Sequence, residues 1–240
     1  MFYKERLKMT KYVSIMQPYF LPYIGYFQQI NNVDLYVFYD DVQWIRGWIN
    51  RHCLLNNNKE YLTTLNVQKH SSHALINEVI LKEKSEQLKY LDLIKTLYSK
   101  APYFSNIYKL IEEIIEYKEE NLSLFVENSI MQICKLLEIK TKFIRSSDID
   151  YDRTLKGENR IIELCKVLGY KNYVNNINGK DLYRKEDFEK ENLNLYFFNR
   201  KITPYKQFNN EFVPFLSIID VLMFNDIETV RNEIVKGELV

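Results

Sequence analysis

Glycine and proline are scarce, six and five among 240 residues. That excludes a collagen-like repeat and leaves no low-complexity linker at which to draw a domain boundary. Cysteine is scarcer still: Cys53, Cys134 and Cys165 form no CxxC pair, so neither a disulfide framework nor a thiolate metal cage is expected. Cys134 and Cys165 each fall in an amphipathic helical pattern and read as buried packing residues. Charge of one sign is absent as well. Lys+Arg number 33 against Asp+Glu 32, net +1, so no overall field draws the chain to nucleic acid or to an anionic membrane. No apolar run approaches the roughly 20 residues of a spanning helix. The first residues, Met1-Phe2-Tyr3-Lys4-Glu5-Arg6, are charged where a signal peptide is apolar. The expected location is cytoplasmic, without membrane insertion. GxGxxG, GxxxxGK[ST], GxSxG and HExxH are all missing. His70 and His73 stand three apart in a Ser-rich stretch with no helix and no neighbouring carboxylate; no metal is expected, and the cofactor is left unassigned.

What is present is an ordinary globular mixture, 46% hydrophobic and 27% charged, with an aromatic content of 15%, Tyr 19 and Phe 14. An AT-rich coding genome explains such a bias. The functional alternative is a cleft lined with tyrosines, whose rings offer a flat apolar face and a polar tip.

The apolar run Tyr12 to Met16 reads as a buried strand stopped by Gln17-Pro18. Tyr23, Ile24, Phe27 and Ile30 then follow helical spacing, with Pro22 placed in the first turn. Leu35 to Tyr39 is a second strand, ended by Asp40-Asp41. Strand, helix, strand in this compass is a βαβ unit, for which parallel pairing and a right-handed crossover are expected. Trp44 to Asn58 reads as loop, Tyr61 to Val67 as a strand, and Glu78 to Leu81 as a second short one. From Ser85 to Leu137 the period is helical, with Ile107, Leu110, Ile111, Ile114 and Ile115 on one stripe. Lys142 to Arg145 returns to strand, and Gly157 to Leu168 is a helix closed by Gly169. Tyr173 to Asn175 and Leu193 to Phe198 are strands. Ser217 and Asp226 cap the last helices, Ile218 to Phe224 and Ile227 to Lys236. The fold class is α/β, a three-layer, mostly parallel Rossmann-like sheet with a helical insertion. Residues 9–84 make an N-terminal α/β half, 85–138 the insertion and 139–240 a C-terminal α/β half of one composite domain.

Ligands of an open parallel sheet bind beyond the carboxyl ends of the strands. The polar residues that follow the first two strands are therefore the candidates: Gln17, Tyr19, Tyr39, Asp40, Asp41, Gln43, Trp48, Asn50, Arg51 and His52. Adjacent carboxylates on an extended chain point apart, so Asp40 and Asp41 are not an acid/base dyad; one faces the cleft while the other caps a turn. Arg51 suits a phosphate or carboxylate, and His52 a general base. A strand-ending Asp turn and a solvated loop are the plainer explanations. Lys156 and Arg160 flank a helix start that attracts anions, and Asn175 to Lys180 adds amides and a cation to the rim. Cys53 beside His52 is a poor nucleophile candidate, since sequence neighbours seldom form a nucleophile–base pair.

The segments Ile15-Met16-Gln17-Pro18-Tyr19-Phe20-Leu21-Pro22-Tyr23-Ile24-Gly25-Tyr26-Phe27, Tyr39-Asp40-Asp41-Val42-Gln43, Gly47-Trp48-Ile49-Asn50-Arg51, Tyr205-Lys206-Gln207-Phe208 and Leu216 to Asn225 resemble the WbqC-like protein family. The likeness runs from Met9 on, with Met1 to Lys8 as an extension; Trp44 and Ile45 stand where Tyr and more basic character are usual. The resemblance implies a role in bacterial surface-polysaccharide (O-antigen) biosynthesis. The implied activity is transfer of a glycyl, aminoacyl or other small acyl group to a nucleotide-linked amino sugar, forming an amide. Its partners are then that sugar and an activated acyl or aminoacyl donor. On this reading Asp40, Asp41 or His52 takes the amine proton. Arg51, Lys156, Arg160 and Lys180 hold the anionic portion, Gln17, Gln43 and Asn50 orient polar groups, and Tyr19, Tyr39 and Trp48 stack on rings. An ATP-dependent carboxylate-activating or nucleotidyl-transfer enzyme is the first alternative, and a non-catalytic scaffold of a polysaccharide assembly complex is the second.

Overall fold

A computed structural model describes residues 10–209 and 211–240; the charged start and the extension lie outside the described residues. The sheet is built on β1 (Tyr12–Met16), whose Val13, Ser14 and Ile15 are all buried. A strand covered on both faces must be apolar throughout rather than alternating. β2 (Leu35–Phe38) pairs parallel to it, Val13 opposite Leu35 and Met16 opposite Phe38, across α1 (Ile24–Asn31). β5 (Lys142–Arg145) adds outside β2, and β6 (Asn172–Asn176) and β7 (Asn194–Asn199) add on the other side of β1, all parallel. β8 (Glu238–Leu239) closes that edge antiparallel. The order is β5-β2-β1-β6-β7-β8, a mixed sheet of mostly parallel strands.

Successive side chains of a strand point to opposite faces, and the apolar residues divide accordingly. Val13, Ile15, Leu35, Val37, Tyr173, Leu195 and Phe197 pack with α5 (Gly157–Leu168) and α6 (Lys185–Lys190). Tyr36, Phe38, Val174 and Phe198 join the larger cluster. That cluster also takes in α1, α7 (Ile218–Phe224), α8 (Ile227–Ile234) and the helices α2 (Lys84–Tyr98), α3 (Phe104–Glu116) and α4 (Leu122–Leu136). The stripe of α3 is buried at Ile107, Ile111, Ile114 and Ile115.

Capping follows chemistry. Asn121, Ser217 and Asp226 accept from Leu124, Ile219 and Thr229 N–H groups at 3.2, 3.3 and 2.8 Å, and Gly169 ends α5 at φ 71. Pro22 lies before α1 rather than in its first turn; its carbonyl accepts from Ile218 N–H at 2.8 Å.

The loop expected from Trp44 to Asn58 is corrected. Arg51–Asn56 is β3, paired antiparallel with β4 (Lys59–Thr64) in a separate hairpin. Asn57 and Asn58 form its turn at φ 48 and 63, a conformation asparagine tolerates. The strand escaped notice because Arg51-His52-Cys53 breaks the apolar pattern. Glu78 to Leu81 is no strand either: a 3-10 turn (Ile76–Glu78) leads into isolated bridges at Ile80 and Leu81. α6 escaped because five of its six residues, KEDFEK, are charged and only Phe188 is buried.

Candidate functional site

Parallel pairing makes β1, β2, β5, β6 and β7 end on one edge of the sheet, and two polar clusters form there.

The first joins the ends of β2 and β5. Asp40 is 1% exposed. Its Oδ1 accepts from Ser146 Oγ at 3.1 Å and Ser147 N–H at 3.0 Å, its Oδ2 from Ser147 Oγ at 2.7 Å. Asp41, 4% exposed, accepts at Oδ1 from Ser146 Oγ at 2.6 Å. Its Oδ2 takes the Tyr151 hydroxyl at 2.7 Å and the guanidinium groups of Arg153 and Arg160, each at 3.1 Å. Arg160 also donates through Nη2 to the Asp41 carbonyl at 2.9 Å and through Nε to the Tyr151 hydroxyl at 2.8 Å. It lies 5.3 Å from the Tyr39 ring centroid and 5.2 Å from that of Tyr151. Burial pushes the phenols of Tyr39 and Tyr151 above their ordinary range, so both remain hydroxyl donors. Asp41, Tyr39 and Arg160 are thus brought together, as an almost saturated network.

The second cluster lies where β1 and β6 meet. Ser14, fully buried in β1, donates to the Val174 carbonyl at 2.9 Å and accepts from Gln29 Nε2 at 2.7 Å. Asn176, at the end of β6, donates to Gln29 Oε1 at 3.4 Å and to the Tyr23 hydroxyl at 3.5 Å. Arg200, the residue after β7, donates through Nη1 to Asn176 and Asn178 Oδ1 at 3.4 and 3.3 Å. Its guanidinium lies 5.6 Å from the Tyr23 ring and 5.3 Å from the Phe215 ring.

The remaining expected residues are dispersed. His52 is 2% exposed and stacks on Phe20 at 5.1 Å. Its Nδ1 lies 3.1 Å from the Phe20 carbonyl and its Nε2 3.0 Å from the Tyr90 hydroxyl. A carbonyl only accepts, so Nδ1 carries the proton and Nε2 receives Tyr90 O–H. Burial drives its pKa from 6.5 to about 4. The base role expected of it has no solvent path in this arrangement. Asn50, 4% exposed, donates to the Leu65 carbonyl at 2.7 Å, and its buried Oδ1 has no partner among the described residues. Gln43 is exposed and donates to the Ser72 carbonyl at 3.0 Å. Trp48 is 62% exposed; Arg51, Lys156 and Lys180 are also exposed, and Gln17 and Tyr19 are half-buried. The Gln17 carbonyl accepts from Tyr26 O–H at 2.8 Å. Among the described residues no group of three or more His, Cys, Asp or Glu side chains is arranged to hold a metal ion.

Sequence reasoning passed over Ser146, Ser147, Tyr151, Arg153, Gln29 and Arg200, and two buried carboxyl groups. Asp220 in α7 accepts from Tyr205 O–H at 2.6 Å, Gln207 Nε2 at 2.8 Å and Tyr98 O–H at 2.9 Å; burial raises its pKa. Glu127 of α4 accepts from Ser123 Oγ at 2.9 Å and is pushed to about 8 by burial. It lines a groove of about 560 Å³ with Phe38, Phe143 and Arg145. Both sit in helices where a lone acid reads as an exposed face residue.

No solved structure matches the chain. A protein of Mycobacterium tuberculosis (strain ATCC 25618 / H37Rv), described as Uncharacterized protein Rv1507c, is 29% identical over 219 residues, covering 90% of this chain and 94% of its own. The model of the WbqC-like protein family matches residues 17–232, from the end of β1 into α8. Both strand-end clusters apart from Ser14 lie within that span, and the chain belongs to the WbqC-like protein family.

Proposed function

We propose that this chain is a transferase of bacterial surface-polysaccharide assembly, forming an amide on the amino group of a nucleotide-linked amino sugar with a glycyl, aminoacyl or other small acyl group. One observation carries the reading: both polar clusters lie on the carboxyl edge of a mostly parallel sheet whose strand order turns round between β1 and β6. That is the ligand edge of a Rossmann-like arrangement, and family membership favours the polysaccharide context. On this reading residues 9–84 and 139–240 are halves of one composite domain with 85–138 inserted, a division that the sheet shared by β1 and β2 with β5 to β8 supports.

In the proposed step the neutral sugar amine attacks the acyl carbonyl carbon. A C–N bond forms, the bond to the leaving group breaks with its electron pair, and the amine proton passes to a carboxylate. Asp41 is the candidate acceptor. Of the three groups on its Oδ2, Tyr151, Arg160 and Arg153, only Arg153 has a half-exposed side chain, at 44%, and the proposed step requires it to give way to the amine. Asp40, bonded to serines and one amide, holds the β5 loop in place. Tyr39 and the exposed Trp48 offer ring faces to a sugar or base, and Arg51, Lys156 and Lys180 offer surface cations.

The test is incubation of purified protein with nucleotide-linked amino sugars and a panel of acyl and aminoacyl donors, with and without ATP, followed by mass spectrometry. The expected result is an amide-mass product that Asp41→Asn abolishes. No product with any donor, together with an unaltered surface polysaccharide in cells carrying Asp41→Asn, refutes it. Pyrophosphate exchange in the ATP arm favours carboxylate activation instead.

A further inference from the structure

We infer that Arg200, with Tyr23, Asn176 and Asn178, forms a receptor for a diphosphate anion at the point where the strand order turns round. From β1 the sheet runs outward through β2 to β5, and from β6 through β7 to β8. Where connections leave in opposite directions, ligands bind beyond the carboxyl ends of the two strands; Asn176 ends β6 and Arg200 directly follows β7.

Arg200 differs from three arginines at the end of β5, in the segment that follows it and in α5. Arg145, Arg153 and Arg160 each face a carboxylate at 2.9–3.1 Å. Arg200 faces none among the described residues. Among the described residues only its Nη1 is engaged, through two long contacts at 3.4 and 3.3 Å, which leaves Nε and Nη2 as donors there. A guanidinium held against two aromatic rings is partly desolvated and oriented. Its planar fork matches two phosphoryl oxygens.

The surroundings hold it there. A chain from buried Ser14 and Gln29 to half-buried Asn176 fixes the amide that Arg200 touches, and a connected polar chain of this kind restrains its members. Gly25, in the first turn of α1, leaves room for the arginine stem: a Cβ there would lie 2.8 Å from Arg200 Cδ and 2.4 Å from Tyr23 Cε2. Leu21 and Phe215 adopt φ 41 and 59, a region that bulky side chains avoid and that clusters at ligand sites. The two segments are tied by Ser217 Oγ to the Leu21 carbonyl at 2.7 Å and Ile218 N–H to the Pro22 carbonyl at 2.8 Å, which keeps Phe215 beside Tyr23. The choice of a diphosphate as ligand rests on the nucleotide-sugar reading; the vacant donors do not.

Isothermal titration of the whole chain with inorganic pyrophosphate, with sodium sulfate as an anion control, tests the site. Wild type is expected to bind pyrophosphate. Arg200→Gln weakens the Kd at least tenfold and Arg200→Lys at least threefold, because an ammonium lacks the fork, while Arg184→Gln on the surface stays within twofold. Should Arg200→Gln fold poorly by circular dichroism, Gly25→Ala, which displaces the stem and keeps the charge, is expected to weaken binding at least threefold. Equal binding of sulfate, no binding of pyrophosphate at millimolar concentration, or a loss that follows Arg160→Gln with Arg200→Gln unchanged overturns the site. Such a failure leaves the amide-transfer reading to its own assay. A failed transfer assay with Arg200-dependent pyrophosphate binding removes that reading and keeps the site.

Discussion

Acidification should destabilise this protein through His52 in particular. The ring is sealed between Phe20 and Tyr90, with Nδ1–H on a carbonyl and Nε2 on a hydroxyl, so a second proton would break the Tyr90 bond and bury a charge. Its pKa falls from 6.5 to about 4, and each unit is worth about 1.4 kcal/mol. Between those two values the unfolded chain holds a proton that the native chain does not. Unfolding therefore takes up protons, and lowering the pH favours it. Above pH 6.5 the contribution is intact; as the pH falls through the window it is lost, roughly 3 kcal/mol in all and about 2 kcal/mol between pH 7 and 4.5. Urea unfolding of wild type and His52→Gln across pH 7.5 to 4.5 isolates the effect, because other titrations cancel in the difference. The variant should lose about 2 kcal/mol less than wild type over that range. Parallel curves, or a resonance assigned to the His52 imidazole that titrates above pH 6 in the native state, would refute the burial of a neutral ring.

Three further outcomes follow from the buried acids. Asp41→Asn leaves Arg160, whose side chain is 13% exposed, against a neutral amide, and calorimetry should record a loss of about 2–3 kcal/mol, below the full value for a buried pair because Arg153 is half-exposed. A change under about 0.5 kcal/mol contradicts the network. Glu127 has the opposite sign to His52. Its pKa is raised to about 8, so the unfolded chain gives up the proton first and stability falls as pH rises from about 4.5 to 8. Glu127→Gln should gain on wild type across that window, by up to a few kcal/mol, and a difference independent of pH in guanidinium unfolding contradicts it. Asp220→Asn sets an amide N–H₂ or a weaker acceptor against three donors, and should lower stability by about 1–3 kcal/mol. It should also speed proteolysis in the Tyr205–Val213 segment that Gln207 pins; unchanged cleavage would mean the segment is held elsewhere.

Local chemistry made much of the fold legible. β1, β5, α5 and α7 begin and end where the apolar runs and caps say they do, because a strand buried on both faces and a helix with a stripe each leave a period in the chain. β3 left none: its buried residues are His52, Leu54 and Leu55, and a histidine satisfied by a carbonyl and a phenol looks, in one dimension, like a loop residue. The site divides the same way. Asp40, Asp41, Gln17 and Asn176 are readable as strand ends, since parallel pairing puts all such ends on one edge. That Arg160 meets Asp41 from α5, or that Arg200 faces no carboxylate among the described residues while Arg145, Arg153 and Arg160 each do, is not written in any window of sequence.

The chain by itself determined the alternation of strands and helices, the buried character of the central strands and the family, because periodicity and capping act over a few residues. Only the tertiary structure decided which charges are spent on one another and which stay free to meet a ligand. Pairing and desolvation depend on distances of a few ångströms between residues more than a hundred positions apart, and those distances exist only once the sheet has assembled.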